Sequence, residues 1–308
     1  MRVWRRAICF ITALLAPGSF CSAPGTDVPR FLPGKQVGTV QTTQIKEASG
    51  IVASRMNPGV LWVHNDSGDS PRVYALNTEG RLLAVYRLKG ARCRDWEDIA
   101  IGPGPDPKRS YLYIGDIGDN QAKYSSITIY RVPEPAVDPN RVLGETEISP
   151  VEAIELTYPD GPKDAETLLV DPLNGDIFVI AKREFFCRVY WAPRPQSTTK
   201  RTVMKLAANL PWGFAVGGDV SPDGQWVIVR GSFNASLWHR PVGQELWRAF
   251  ATKGFRLELM REPQGEGICF DGDGHGYLTV GEQTHPPIYY FARAGSSQKP
   301  HAEKSPKD

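Results

Sequence analysis

The sequence predicts an all-β fold: a β-propeller of five four-stranded blades, closed by an N-terminal strand. Three observations lead there. Short alternating apolar runs recur along the chain, broken by Gly, Pro, Asn and Asp, with little helical periodicity. Four such runs form a composite unit that returns at a period of about 50 residues. The last unit lacks a fourth strand, and KQVGTVQTT (35–43), ahead of the first unit, can supply it. A ring with an unfilled blade exposes a strand edge, so borrowing from the opposite terminus locks the wheel. A six-bladed ring with one degenerate blade and a β-sandwich are the competing architectures. The roughly 69 residues between the second and third inner strands offer room for a sixth blade.

The elements follow in chain order. MRVWRR places three Arg before the apolar run AICFITALLA (7–16), and PGSFCSA then offers small residues for cleavage. That is the layout of a secretory leader over residues 1–23, with a retained N-terminal anchor as the alternative. The run is too short to cross a bilayer as a helix. Phe20 occupies the position where lipidation of Cys21 needs a small residue. Cleavage would place the mature chain in the periplasm or outside the cell. It would leave Cys93, Cys187 and Cys269, enough for at most one internal disulfide. Residues 24–34 read as a linker and 35–295 as the propeller. Residues 296–308, rich in Lys, Ser and Pro, read as a disordered tail.

Inner strands open on small or acidic clusters: EASGIVAS (47–54), DWEDIAIG (95–102), DAETLLVD (164–171), GGDVSPDG (217–224) and GEGICFDG (265–272). Second strands follow as VLWVHND, SYLYIGD, DIFVIAK, QWVIVRG and GYLTVGE. Third strands, RVYALN, ITIYRV, RVYWAP, ASLWHRP and IYYFAR, carry aromatics suited to packing between blades. RLLAVYRL, EAIELTYP, TVMKLAAN and RLELMRE supply outer strands.

In a blade the inner strand lines the axis and the second runs antiparallel beside it. The start of the first and the end of the second therefore share one face. This gathers a funnel mouth. Glu47 meets Asn65, Asp66 and Asp69, with His64 at the same strand end. Asp95, Glu97 and Asp98 meet Asp116 and Asp119. Asp164 and Glu166 face Lys182 and Arg183, Asp219 faces Arg230, and Glu266 joins Glu282. DPLNGD, SPDGQ and DGDGHG fall on the opposite face as turns; DGDGHG lacks the remaining ligands and terminal Glu of a calcium loop.

Carboxylates crowded at ~5–7 Å raise each other's pKa unless a cation compensates. Oxygen ligands without paired Cys or His suit Ca²⁺ or Mg²⁺. Taken singly, NDSGD and GDIGDN are also ordinary turn formers; together beside Glu47 and Glu97 they point to a site. The net charge of +2 gives no global pull toward nucleic acid or an anionic membrane. Phosphate-loop, dinucleotide, H-E-x-x-H and G-x-S-x-G motifs are absent, and nothing favours a Ser or Cys nucleophile.

EASGI…NDSGD, DWEDIA, GDIGDN, DAETLLVDP and GEGI, across residues 45–290, resemble an uncharacterised group of secreted bacterial β-propellers. More distantly, DAET and GEGI resemble inner-strand motifs of phytase-esterase-like and gluconolactonase-like propellers. Those families usually have six blades. The gluconolactonase likeness implies a divalent metal bound by an inner-strand Glu. Glu266 matches it, Glu97 and Glu166 are alternatives, and Asn65 and Asp116 are companions. Two functions stay open. One is a monomeric binding propeller that takes a small-molecule or protein ligand at the mouth. The other is a metal-dependent hydrolase of an ester, lactone, phosphoester or glycoside, with Asp116 and Glu97 as catalytic candidates.

Overall fold

Five sheets surround one axis in the computed structural model, which describes residues 28–139 and 141–296. Strand β1 (Lys35–Thr39) comes first. The first blade is β2 (Ala48–Ala53), β3 (Val60–Asn65), β4 (Arg72–Asn77) and β5 (Leu82–Leu88). The second is β6 (Trp96–Pro103), β7 (Ser110–Asp116), β8 (Ile127–Pro133) and, after the short β9 (Glu145–Ile148), β10 (Glu152–Thr157). The third is β11 (Ala165–Val170), β12 (Ile177–Ala181), β13 (Arg188–Ala192) and, after β14 (Thr202–Val203), β15 (Lys205–Asn209). The fourth is β16 (Ala215–Val220), β17 (Trp226–Gly231), β18 (Ala235–His239) and β19 (Phe255–Leu257). The fifth is β20 (Gly265–Phe270), β21 (Gly276–Gly281) and β22 (Pro287–Ala292), completed by β1. The expected closure is therefore present: β1 runs antiparallel to β22, with Lys35 opposite Tyr290.

The long insert builds no sixth blade. Its residues cross to the first blade, where β9 adds in parallel to the outer edge of β5, Val85 opposite Glu145. The chain then returns as β10. TVMKLAAN divides: β14 lies parallel to β10 on the second blade, and only β15 serves the third.

What holds the wheel is packing between sheets. Five buried clusters form, one at each junction of neighbouring blades. Trp62 and Trp96 share the first junction, Tyr113 and Tyr190 the second, Phe178 and Trp238 the third. Ile228 and Tyr277 share the fourth, and Ile51 and Val280 close the ring. Inner strands buried on both faces read as nearly continuous apolar runs, which is why the alternation is weakest there.

Residues 28–34 are held against the fifth blade. Phe31 bridges to Arg293 and sets its ring edge-on to Tyr277 at 4.9 Å. The expected leader and all but the first residue of the expected tail lie outside the described residues. Cys93, Cys187 and Cys269 are each free. Among the described residues no helix is long and apolar enough to cross a membrane.

Candidate functional site

One irregularity opens every inner strand. Pairing steps from Ala165–Ala181 to Thr167–Ile180, skipping Glu166. The same step skips Glu97, Val216 and Glu266, and in the first blade it spans Ser49 and Gly50. A bulge frees one residue from strict alternation and re-aims its side chain. Three blades place Glu there. A repeated hydrogen bond then closes the rim. The N–H groups of Asp66, Ile117, Lys182, Ser232 and Glu282 donate to the carbonyls of Glu47, Asp95, Asp164, Phe214 and Gln264. The acidic tips thus lie on one face, around the hub.

Glu97 is the centre of that face. One carboxylate oxygen each from Asp66, Asp95 and Glu97 lie within 4.8 Å of one another, and the same holds for Glu97, Asp164 and Glu166. Glu97 and Glu166 are buried; Asp66 and Asp95 are half-buried. The second triplet is already neutralised. Lys182 Nζ pairs with Glu166 Oε1, and Arg183 Nε with Asp164 Oδ2 at 2.6 Å. Asp119 N–H donates to Asp164 Oδ1 at 2.9 Å. Even so, Glu166 Oε2 is buried with no hydrogen-bond partner. Asp66, Asp95 and Glu97 have no ion pair among the described residues, whereas nearby Asp116 has Arg94 at 3.7 Å.

Gly118 forms a floor under two members of this triplet, Asp95 and Glu97. A Cβ there would stand 2.2 Å from Glu97 Oε1 and 2.5 Å from Asp95 Oδ2. Burial is the main cause that drives the carboxyls of Glu97, Asp95, Glu166 and Glu266 upward, with neighbouring acids adding to it. Glu97 is raised well above its usual range. Glu166 is pushed up to about 8, Glu266 to about 7 and Asp95 to about 6. Glu282 is raised as well, with Asp66 and Glu47 facing it. The donors are oxygens throughout, a set that fits a hard divalent cation.

Several expected members do not join this cluster. Asn65 Oδ1 accepts from Lys46 N–H at 2.9 Å, and its amide donates to Asp69 Oδ2 at 2.7 Å. It is a loop clip, with no donor left for a metal. Asp69 forms an ion pair with Arg72 at 2.8 Å. Asp116 accepts from Asp95 N–H at 2.9 Å and so positions Asp95 instead of joining the triplets. Asp119 Oδ2 accepts from Tyr124 N–H at 2.6 Å and shapes its own loop. His64 is fully buried, with Nδ1 2.7 Å from Asn65 O, and burial lowers its pKa. Glu47 stays on the exposed outer rim.

The fourth blade departs most from expectation. Its inner strand starts at Ala215, two residues before GGDV, so the opener is Phe214-Ala215-Val216. Asp219 lies deep in the strand, where it accepts from Val220 N–H and, across the junction, from Phe270 N–H at 3.0 Å. Asp98 does the same toward Leu168 N–H at 2.9 Å. Both are struts between blades. Arg230 does not face Asp219; it pairs with buried Glu262 at 2.6 Å and crosses Gly265 so closely that no Cβ fits there.

Two clefts lie away from this cluster. One of about 280 Å³ includes Trp226, Phe270 and His275, and one of about 560 Å³ includes Phe233 and Arg256. Neither is lined by Asp66, Asp95, Glu97, Asp164 or Glu166. Gly118 and the bulge position are the functional features the sequence reading missed. The shared E in DWED, DAET and GEGI was the available signal.

A scan against protein-family models finds no match, and a search of curated proteins finds none. Among solved structures the chain is similar to the WD40 domain of Neurospora crassa Pan2. That similarity is at 10% identity and a TM-score of 0.46, over 86% of this chain and 97% of that one.

Proposed function

We propose that the funnel holds one divalent cation, Ca²⁺ or Mg²⁺, on Asp66, Asp95 and Glu97, and that the protein is a binding propeller whose ligand completes the coordination. The supporting observation is the asymmetry at Glu97. The triplet on its third-blade side carries its own Lys and Arg; the triplet on its first-blade side carries none. A partly buried anion cluster without a direct ion pair is costly unless it is protonated or filled. The likeness to gluconolactonase-like inner strands, which points first to Glu266, has Glu97 as one of its alternatives. The leader pattern supports export to the periplasm or beyond.

Isothermal titration with CaCl₂ and MgCl₂ tests the reading. The expected result is one site, lost in Glu97→Gln and retained in Asp69→Asn. Equal binding by Glu97→Gln overturns it.

One observation favours hydrolysis as a second reading. Glu266 occupies the bulge position of the fifth blade in the same funnel, where burial pushes its carboxyl up to about 7, in the range a general acid or base requires. Metal-restored turnover of an ester and lactone panel after EDTA treatment supports it; a panel without turnover leaves the binding reading.

A further inference from the structure

The funnel wall has two characters. Three positions recur at the rim of each blade: the residue before the inner strand, the bulge residue, and the residue after the second strand. Four blades carry at least one carboxylate among them. The fourth carries Phe214, Val216 and Ser232, and no charge. In a five-membered ring the blade facing the junction of the first and second is the fourth. The uncompensated triplet, from Asp66 of the first blade and Asp95 and Glu97 of the second, therefore lies across the axis from this apolar wall.

Neighbouring loops extend the wall. Phe214 N–H donates to Lys182 O at 2.9 Å and Ser232 N–H to Phe214 O at 3.1 Å, so three loops are stitched side by side. They carry Phe185, 94% exposed, with Phe186 and Phe214 also exposed, while Phe233 lines the cleft beside Arg256 on the outer strand. Phe214 has φ +63°, a left-handed conformation that is unfavourable for a bulky residue. Exposed phenylalanines on neighbouring loops of one rim mark a contact surface.

We infer that the ligand is an amphiphile: a carboxylate or phosphate head on the cation, and an alkyl or aryl body on the wall of Phe214 and its neighbours. This inference rests on the cation reading. Charge complementarity sets the orientation, because among the described residues the fourth blade is the one whose three rim positions, Phe214, Val216 and Ser232, carry no charge.

Titrating the Ca²⁺-loaded protein with butyrate, hexanoate, octanoate and octyl phosphate tests it. Affinity is expected to rise about fourfold per added methylene, and comparing octanoate with octyl phosphate shows which head is preferred. Phe214→Gly suits the test because glycine adopts positive φ without penalty. It is expected to keep calcium binding and Tm while the rise per methylene drops toward onefold. Calcium binding with no dependence on chain length, or dependence unchanged in Phe214→Gly and Phe185→Ser, overturns the amphiphile and leaves the cation reading standing. Octylammonium binding more tightly in EDTA than octanoate does with Ca²⁺ overturns the anionic head. Absence of calcium binding removes the cation reading, and this inference with it.

Discussion

Glu97 and Glu134 are both buried glutamates, 4% and 6% exposed, at opposite faces of the same wheel. Glu134 receives Trp62 Nε1–H at 2.9 Å and the hydroxyls of Ser54 and Ser110, so it ties the first two blades together. Glu97 receives no hydrogen bond on its carboxylate among the described residues and stands among Asp66, Asp95, Asp164 and Glu166. Burial alone therefore does not make a carboxylate functional. A full set of donors makes it a strut; a missing set, at a bulge among other carboxylates, singles it out as a candidate for a ligand.

The largest effect that separates them is on stability. Glu134→Ala leaves an indole N–H and two hydroxyls buried without an acceptor, each costing about 1–3 kcal/mol. The variant is expected to lose about 3–5 kcal/mol in urea unfolding, with or without calcium. Glu97→Gln is expected to do the opposite in EDTA at pH 8, gaining about 1 kcal/mol as like charges separate. It should also lose the gain that saturating calcium gives the parent, about 2.7 kcal/mol at a hundredfold excess over Kd. Equal destabilisation by the two substitutions would make Glu97 a strut like Glu134.

The next effect is in pH. Carboxyls whose folded pKa exceeds the unfolded value, about 4, bind more protons when folded. Stability then falls as pH rises from the unfolded value through the folded ones. Asp95, Glu266 and Glu166, raised to about 6, 7 and 8, place that loss between roughly pH 4 and 8. In EDTA the Tm is expected to drop by about 5 °C from pH 5.5 to pH 8.5, and Ca²⁺ should flatten the profile. A Tm that rises over this window without metal would mean the carboxyls are compensated in the apo protein.

The wheel was legible because each blade repeats one grammar, and the aromatic third strands fill junctions in the way their spacing suggests. The outer strands were less legible, since β9 and β14 borrow edges of other blades and no local pattern encodes that. At the mouth, DWED, DAET and GEGI showed the acids, but the bulge decides which acid turns inward. Asn65, Asp69 and Asp116 read as ligands by composition, yet each spends its oxygens on nearby N–H groups or an Arg. The fourth blade slipped because GGDV looks like an opener, whereas an apolar Phe214-Ala215-Val216 holds that position. An acid-seeking reading passes over the one blade whose rim positions carry no acid.

The smallest effect concerns the floor of the triplet. Gly118 needs no unusual φ, so Gly118→Ala carries no backbone penalty and tests space alone. Its methyl group would displace Glu97 Oε1 and Asp95 Oδ2, the ends of side chains that can swing, so the fold should survive with a Tm change near 1–2 °C. The displaced oxygens no longer converge, and calcium affinity is expected to fall about tenfold, close to 1.4 kcal/mol. Lys182 and Glu166, on the compensated side, are untouched by the change. An unchanged calcium affinity in Gly118→Ala would move the cation away from the Asp95–Glu97 pair, toward Glu266 and the fifth blade.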